Sequence, residues 1–202
     1  MTTALPVVET FHSLQGEGLH SGRSAFFIRL AGCDVGCPWC DTKVSWPADA
    51  HPRRTPEDLA AEAAAARAAG AAFVVVTGGE PLQQDLGNLC TALAGAGLPL
   101  HLETSGVAAL SGRFDWITLS PKPHRPPLPA LLAACHELKV VVASADDLAF
   151  AEAMARQVPR RATLMLQPAW GEPEGMRLAI GHVTGHPTWR LSLQTHKWLG
   201  LR

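Results

Sequence analysis

Three of the five cysteines fall within eight residues, in the run Ala31-Gly32-Cys33-Asp34-Val35-Gly36-Cys37-Pro38-Trp39-Cys40-Asp41-Thr42. An odd number of cysteines clustered in this way points to ligation or redox chemistry rather than to a disulfide framework. Thiolates from one short loop can converge on one centre. A 4Fe-4S cube has four irons, normally all held by cysteine, so three local ligands leave one iron for another molecule. The competing reading is zinc, held by the three cysteines and one of the nine histidines. Zinc sites usually draw on two paired knuckles, and no second cysteine pair follows; on spacing alone the two readings stand level. Cys90 and Cys135 have no neighbouring cysteine and lie in apolar helical stretches, where packing is expected.

Downstream, the apolar run Ala72 to Val76 ends in Thr77-Gly78-Gly79-Glu80-Pro81, where two glycines permit close backbone approach and Glu80 adds an acceptor. The next such run ends in Glu103-Thr104-Ser105-Gly106, suited to hydrogen-bonding a ribose or adenine. The one after it gives Ser120-Pro121-Lys122, a hydroxyl and a cation suited to a carboxylate. Each alone reads as an exposed turn. Together, three consecutive strand ends have the polarity to surround one zwitterionic nucleoside.

The spacing C-x3-C-x2-C, with Trp39 directly before the last cysteine, resembles the radical S-adenosylmethionine (SAM) superfamily. That resemblance implies a 4Fe-4S cluster on Cys33, Cys37 and Cys40, with the open iron chelated by the amino and carboxylate groups of SAM. The reduced cluster would then cleave SAM to methionine and a 5'-deoxyadenosyl radical. It also implies SAM contacts from Trp39, Gly78, Gly79, Glu80, Ser105, Ser120 and Lys122, with Gln167 a further candidate and Glu80 taking the amino group.

Both ends of the chain narrow the reading. The N-terminal run Glu9-Thr10-Phe11-His12-Ser13-Leu14-Gln15-Gly16-Glu17-Gly18 and the C-terminal Gln194-Thr195-His196-Lys197 closely resemble 7-carboxy-7-deazaguanine synthases. So do Phe26, Ile28, Arg29 and Leu30, and the step Cys40-Asp41-Thr42. The likeness covers nearly the whole chain. It implies a lyase that converts 6-carboxy-5,6,7,8-tetrahydropterin to 7-carboxy-7-deazaguanine with loss of ammonia, on the route to 7-deazapurines such as queuosine. SAM would be recycled, Mg2+ would sit beside the substrate carboxylate, and a flavodoxin- or ferredoxin-type protein would donate electrons.

Substrate contacts are then expected from Leu14, Gln15, Gly16, Glu17, Arg29, Thr77, His196 and the chain end at Arg202. Glu17 can accept from the guanidine-like edge of a pterin, and Arg29 can hold its carboxylate with two parallel bonds. Thr42 offers the hard oxygen that Mg2+ prefers. Without the resemblance, Arg29 reads as a strand ion-pair partner, Thr42 as a turn residue and His196 as a surface residue. The nearest rival is a glycyl-radical-enzyme activase, which shares the cysteine spacing and Cys-Asp-Thr but acts on a protein. A non-catalytic zinc-binding module is the rival from a different class.

The elements that must position these residues follow from composition and pattern. The 202 residues, 47% of them hydrophobic, suit a single domain spanning 1–202. With 17 Lys+Arg against 18 Asp+Glu, no long-range positive field favours nucleic acid. The N-terminus carries no signal-peptide pattern, and no stretch approaches the roughly 18 apolar residues of a membrane span; a cytoplasmic protein is expected. Short β-branched runs alternate with Ala/Leu-rich stretches, the pattern of βα units. Strands are expected near residues 25–30, 72–76, 100–103, 116–119, 138–142, 163–166 and 189–193. Helices are expected from Thr55-Pro56 to Gly70, where a threonine cap, Pro at the first helical position and early acids mark the start, and near 86–94, 129–135, 146–157 and 174–182.

About seven strands and five helices fall short of a complete eight-unit barrel. The expected fold is an α/β, partial (open) radical SAM β/α barrel with a mostly parallel sheet and a reduced helix complement. The segment from Pro168 to His186 looks too compact for regular βα units, and Gly185 and Pro187 argue against a helical pairing of His182 with His186. Pro121-Lys122-Pro123-His124-Arg125-Pro126-Pro127 reads as a rigid βα loop. Open edges suggest a homodimer.

Overall fold

The computed structural model describes residues 4–202. The described strands are β1 (Leu5–Leu14), β2 (Ser24–Leu30), β3 (Arg53–Arg54), β4 (Val74–Gly78), β5 (Leu100–Thr104), β6 (Trp116–Leu119), β7 (Glu137–Val142), β8 (Thr163–Pro168) and β9 (Trp189–Leu191). They form one sheet in the order β3-β1-β2-β4-β5-β6-β7-β8-β9. From β2 through β9 in that order, every neighbouring pair is parallel. Only β1 runs antiparallel, to β2 on one side and β3 on the other. The sheet does not close, and β3 and β9 remain as its edges.

The α-helices are α1 (Pro56–Ala68), α2 (Gly87–Ala94), α3 (Pro129–Ala134), α4 (Ala145–Ala155), α5 (Pro173–Gly185) and α6 (Thr195–Leu199), with short 3-10 turns at Lys43–Ser45, Ala48–Ala50 and Pro81–Gln83. α1 starts as its sequence dictates, with the Thr55 side chain accepting from Asp58 N at 3.1 Å and Pro56 in the first turn. At α4 a Ser144–Asp147 capping box does the same work.

Strand alternation sorts the chemistry. Successive side chains point to opposite faces, so Phe26, Ile28 and Leu30 of β2, Val74 and Val76 of β4, Leu100 and Leu102 of β5 and Leu138, Val140 and Val142 of β7 enter the main core. The helices cover that face. Their alternates, Arg29, Thr77, Glu103, Thr118 and Lys139, point the other way and line a cavity. The register reinforces the layer, since Arg29 pairs with Thr77 and Glu103 with Thr118.

Four features differ from the sequence reading. Residues 5–14, read only as a motif, form the longest strand; a bulge between Val7 and Glu9 breaks the alternation that would have marked it. The segment Pro168–His186 is not too compact for a regular βα unit: the helix expected near 174–182 runs from Pro173 to Gly185 as α5 and joins parallel strands β8 and β9. That helix carries His182 in its last turn, where its ring stacks on that of His186 at the C-cap with centroids 4.0 Å apart and its Nε2 meets Glu152 at 2.9 Å, so the two rings pair although Gly185 and Pro187 argue against it. Five-residue α6 was also not anticipated, and it sets His196 at the cavity.

Candidate active site

Every site residue singled out in the sequence lines one cavity of about 850 Å3 at the C-terminal ends of the parallel strands. Three regions of its wall differ in chemistry.

The first is the cysteine loop after β2. Its entry is fixed by Gly32 N donating to Ser45 O at 2.8 Å and Cys33 N to Trp46 O at 3.1 Å. Its far side is held by the loop after β6. The Arg125 guanidinium reaches both carboxylate oxygens of Asp34, at 2.7 and 3.1 Å, and the Asp34 carbonyl at 2.7 Å. His124 Nε2 lies 3.1 Å from Val35 O, and the His124 ring meets Trp39 edge-on. The proline-rich loop is therefore the outer clamp of the cysteine loop.

Cys33, Cys37 and Cys40 are free and half-buried. Among the described residues, no three His, Cys, Asp or Glu side chains stand at the spacing of a single bound ion. The fit to a cluster rests on donor chemistry and space. Three soft thiols share one loop. A β-carbon on Gly79 would lie 2.5 Å from Gly32 O and 2.8 Å from Cys33 Cβ, so β4 can lie this close to the loop only with glycine there. Burial pushes the Cys33 and Cys37 thiols up, while the Lys122 ammonium pulls Cys37 back. Ligation to iron is what would make them thiolates near neutral pH.

The second region is the row of strand ends. Gly78, at φ +140°, packs its Cα against Leu30, where a β-carbon would sit 2.1 Å from the carbonyl oxygen. Glu80 lines the cavity, yet its carboxylate is fully engaged: it accepts from Leu82 N (3.1 Å), Thr104 Oγ1 (2.5 Å), Ser105 N (2.7 Å) and Ser105 Oγ (2.5 Å). Four donors match the acceptor capacity of a carboxylate. Glu80 thus ties β4 to β5 and aims Ser105 from the stretch of wall where the SAM amino group is expected. Lys122 donates to Ser120 Oγ at 2.8 Å, a neutral partner, and burial lowers its pKa. It is a cation suited to an anionic ligand. Gln167 is buried with its Oε1 accepting from Ser192 Oγ at 2.8 Å.

The third region joins the two ends of the chain. Gln15 Nε2 donates to Glu103 Oε1 at 3.0 Å, and Gln15 Oε1 accepts from Glu17 N at 3.0 Å. Thr77 Oγ1 donates to Glu103 Oε2 at 3.1 Å. Gln194 Nε2 donates to Glu17 Oε1 at 2.8 Å, and Thr195 N to Gly16 O at 2.9 Å. The remaining oxygen of Glu17 pairs with Lys139 Nζ. Burial would raise Glu17, but Lys139, with help from Gln194, holds its pKa down at about 2. His196 packs over Gly16, where a β-carbon would lie 2.2 Å from Nδ1.

Arg29 donates Nε to Glu9 Oε1 at 3.0 Å, its cross-strand neighbour, so the ion pair and the cavity position coexist. Thr42 Oγ1 donates to Asp41 Oδ1 at 3.1 Å, and Asp41 Oδ2 takes Lys197 Nζ at 2.5 Å. Against its partial burial, Lys197 keeps Asp41 below the usual carboxylate range. Leu14 and Arg202 flank the mouth; Ser13 Oγ donates to Arg202 O at 3.3 Å, drawing the chain end to β1.

Sequence reasoning left Glu103 and Lys139 unassigned, although both line the cavity. The signal for Lys139 was a lone cation inside the apolar run Leu138 to Val142. Glu103 stands in the sequence only as the first residue of the strand-end run Glu103-Thr104-Ser105-Gly106.

The model of the Radical SAM superfamily matches residues 27–121. The 7-carboxy-7-deazaguanine synthase of Prochlorococcus marinus is 52% identical over 224 aligned positions, covering 100% of both chains. That of Synechocystis sp. is 52% identical, covering 100% of this chain and 96% of the relative. The crystal structure of QueE from Escherichia coli superposes with a TM-score of 0.82 at 33% identity, covering 94% of this chain and 93% of that one.

Proposed function

The chain belongs to the 7-carboxy-7-deazaguanine synthase family of radical SAM enzymes, and from that premise we propose how its own residues serve the reaction. The reaction converts 6-carboxy-5,6,7,8-tetrahydropterin to 7-carboxy-7-deazaguanine with release of ammonia, a carbon–nitrogen lyase step toward 7-deazapurines such as queuosine. Neither a glycyl-radical activase nor a zinc module is favoured by relatives of this kind.

When bound, the 4Fe-4S cluster and SAM supply the radical chemistry. Cys33, Cys37 and Cys40 would hold the cluster. Gly78 and Gly79 would let SAM approach the backbone, Ser105, aimed by Glu80, would meet its polar groups, and Lys122 with Ser120 would take its carboxylate. Gln167 and Trp39 would complete that end.

On the substrate side, Glu17 would accept from the guanidine-like edge of the pterin, with Gln15, Gly16 and Leu14 beside the ring and Thr77 and His196 completing the enclosure. Arg29 uses Nε for Glu9, which leaves its terminal nitrogens to face the substrate carboxylate. Thr42, next to the charged Asp41, would offer oxygen to Mg2+ near that carboxylate. The whole chain would act as one domain. An open sheet suits a homodimer, and the cluster needs an electron donor of the flavodoxin or ferredoxin type. No helix among the described residues is long and apolar enough to cross a membrane, and a cytoplasmic site of action is proposed.

The observation that carries the substrate reading is the bonding of Gln194 and Thr195 to Glu17 and Gly16 at the cavity wall. The discriminating experiment is turnover of the pterin by reconstituted protein, anaerobically with SAM, reductant and Mg2+ and with no partner protein. Product without a partner supports the reading. SAM cleavage with an intact cluster but no carboxydeazaguanine would contradict it.

A further inference from the structure

Strand β7 reads Glu137-Leu138-Lys139-Val140-Val141-Val142, and its alternation sends Leu138, Val140 and Val142 into the core. Lys139 therefore points into the cavity wall, where it is 5% exposed and cannot carry its ammonium to bulk water. Its bonded partner is Glu17, from a loop more than a hundred residues earlier. Glu103 and Glu137 also face it. Burial opposes the lysine's charge, and these three carboxylates outweigh it, so its pKa is raised.

Glu137 secures the same loop from below. Its Oε2 accepts from Leu19 N at 2.9 Å, and a β-carbon on Gly18 would sit 2.3 Å from its Oε1, so the loop rests directly on this carboxylate. Lys139 and Glu137 thus hold the charge of Glu17 and the backbone that follows it from one strand.

We propose that Lys139 is a positioning residue: its buried ammonium keeps the Glu17 carboxylate ionised and turned so that its free acceptor capacity meets the N–H donors of the pterin's guanidine-like edge. The inference rests on the pterin reading of the site and adds the element that makes Glu17 competent. An edge that only donates needs a partner that only accepts. Without the lysine, burial would favour the protonated acid, which offers a donor where the ligand already has one. Gln194 cannot replace it, being neutral and on the other oxygen. The groups facing Glu17 are Lys139 and Glu137 from β7, Glu103 and His101 from β5, His20 from its own loop and Lys122 from the loop after β6. From the C-terminal segment, His196 lies over Gly16, and Lys197 and Asp41 lie behind Gln194.

The test is equilibrium binding of 6-carboxy-5,6,7,8-tetrahydropterin to reconstituted protein with SAM and Mg2+ but no reductant, for wild type, Glu17→Gln, Lys139→Met, Lys139→Arg and the Glu17→Gln/Lys139→Met pair. Lys139→Met should weaken binding about 10- to 100-fold at pH 7, and Lys139→Arg should recover part of it. The double variant should bind no worse than Glu17→Gln alone, because the lysine acts through the glutamate. Binding to Lys139→Met should also improve as pH rises from 6 to 9, while wild type stays flat. Wild-type affinity in Lys139→Met, or a double variant weaker than Glu17→Gln, which would mean that Lys139 touches the ligand directly, would overturn the proposal. If Lys139→Met does not fold, the double variant, which removes both buried charges, decides on the same criterion. A wild-type protein that does not bind the pterin would instead sink the functional reading, and this inference with it.

Discussion

Gln194 Nε2 donates to Glu17 Oε1 at 2.8 Å, joining residues 177 positions apart in the chain. Beside it, Thr195 N and Oγ1 both donate to Gly16 O, at 2.9 and 3.0 Å. The two most selective stretches of the sequence thus build one wall of one cavity, and Gln194 completes the acceptor geometry of Glu17. Gln194→Ala should raise KM for the pterin by about 5- to 10-fold, the loss of one hydrogen bond to a carboxylate, and should lower kcat less. Steady-state kinetics at saturating SAM measures both; a KM within twofold of wild type would exclude this role.

Gly16 and Gly79 are glycines by contact. Gly16→Ala would drive its methyl into His196, and Gly79→Ala into the backbone of Gly32 and the side chain of Cys33. The outcomes should differ. Gly16→Ala should keep iron and the brown colour of the reconstituted protein while pterin binding falls at least tenfold. Gly79→Ala should fail to retain iron. Iron content and visible absorbance, set beside pterin affinity, separate the two.

Arg125 reaches Asp34 across the mouth of the cysteine loop. The pair is exposed, so Arg125→Ala should barely change the melting temperature. Cluster retention should change more. Iron release to an external chelator should be several-fold faster than in wild type, and Arg125→Lys, which loses the fork geometry, should recover only part of it. Equal release rates would mean that the clamp does not guard the cluster.

Acid stability should carry the signature of His101, buried with its ring stacked on Phe73 at 4.2 Å. Burial, with neighbouring His20 and Arg23, lowers its pKa from 6.5 to about 3. Between these values the unfolded chain binds a proton that the folded chain does not, so stability is full above about pH 6.5 and falls as pH drops toward 3. The slope from this group is about 1.4 kcal/mol per pH unit. Denaturant melts between pH 5 and 6.5, where most carboxylates remain ionised, should show the slope, and His101→Gln should reduce it without abolishing it. His20 and His136, also lowered by burial, add in the same sense.

Much of this was legible in the chain. The cysteine loop, the Gly-Gly strand end and the two terminal motifs could be read because each is local, and local spacing survives folding. What was hidden depended on distant partners. Glu80 reads as a free acceptor until Thr104 and Ser105 are brought against it. The bonded partner of Lys139 is out of sight in the sequence, since Glu17 lies on another strand's loop. The helix expected near 174–182 forms as α5, Pro173–Gly185, but its docking was hidden: Gly175 packs on Val142, where a β-carbon would lie 2.2 Å from the carbonyl oxygen, so glycine there permits the close approach. Strand β1 was concealed by its own bulge.

The most direct measurement is product stoichiometry. Reconstituted protein is held anaerobically with 6-carboxy-5,6,7,8-tetrahydropterin, SAM, reductant and Mg2+, and carboxydeazaguanine, ammonia and residual SAM are quantified together. A pocket built as described should give carboxydeazaguanine and ammonia in equal amounts, many turnovers for each SAM lost, and none of either product once Cys33, Cys37 and Cys40 are replaced by alanine. SAM cleaved to completion with the pterin recovered unchanged would contradict it.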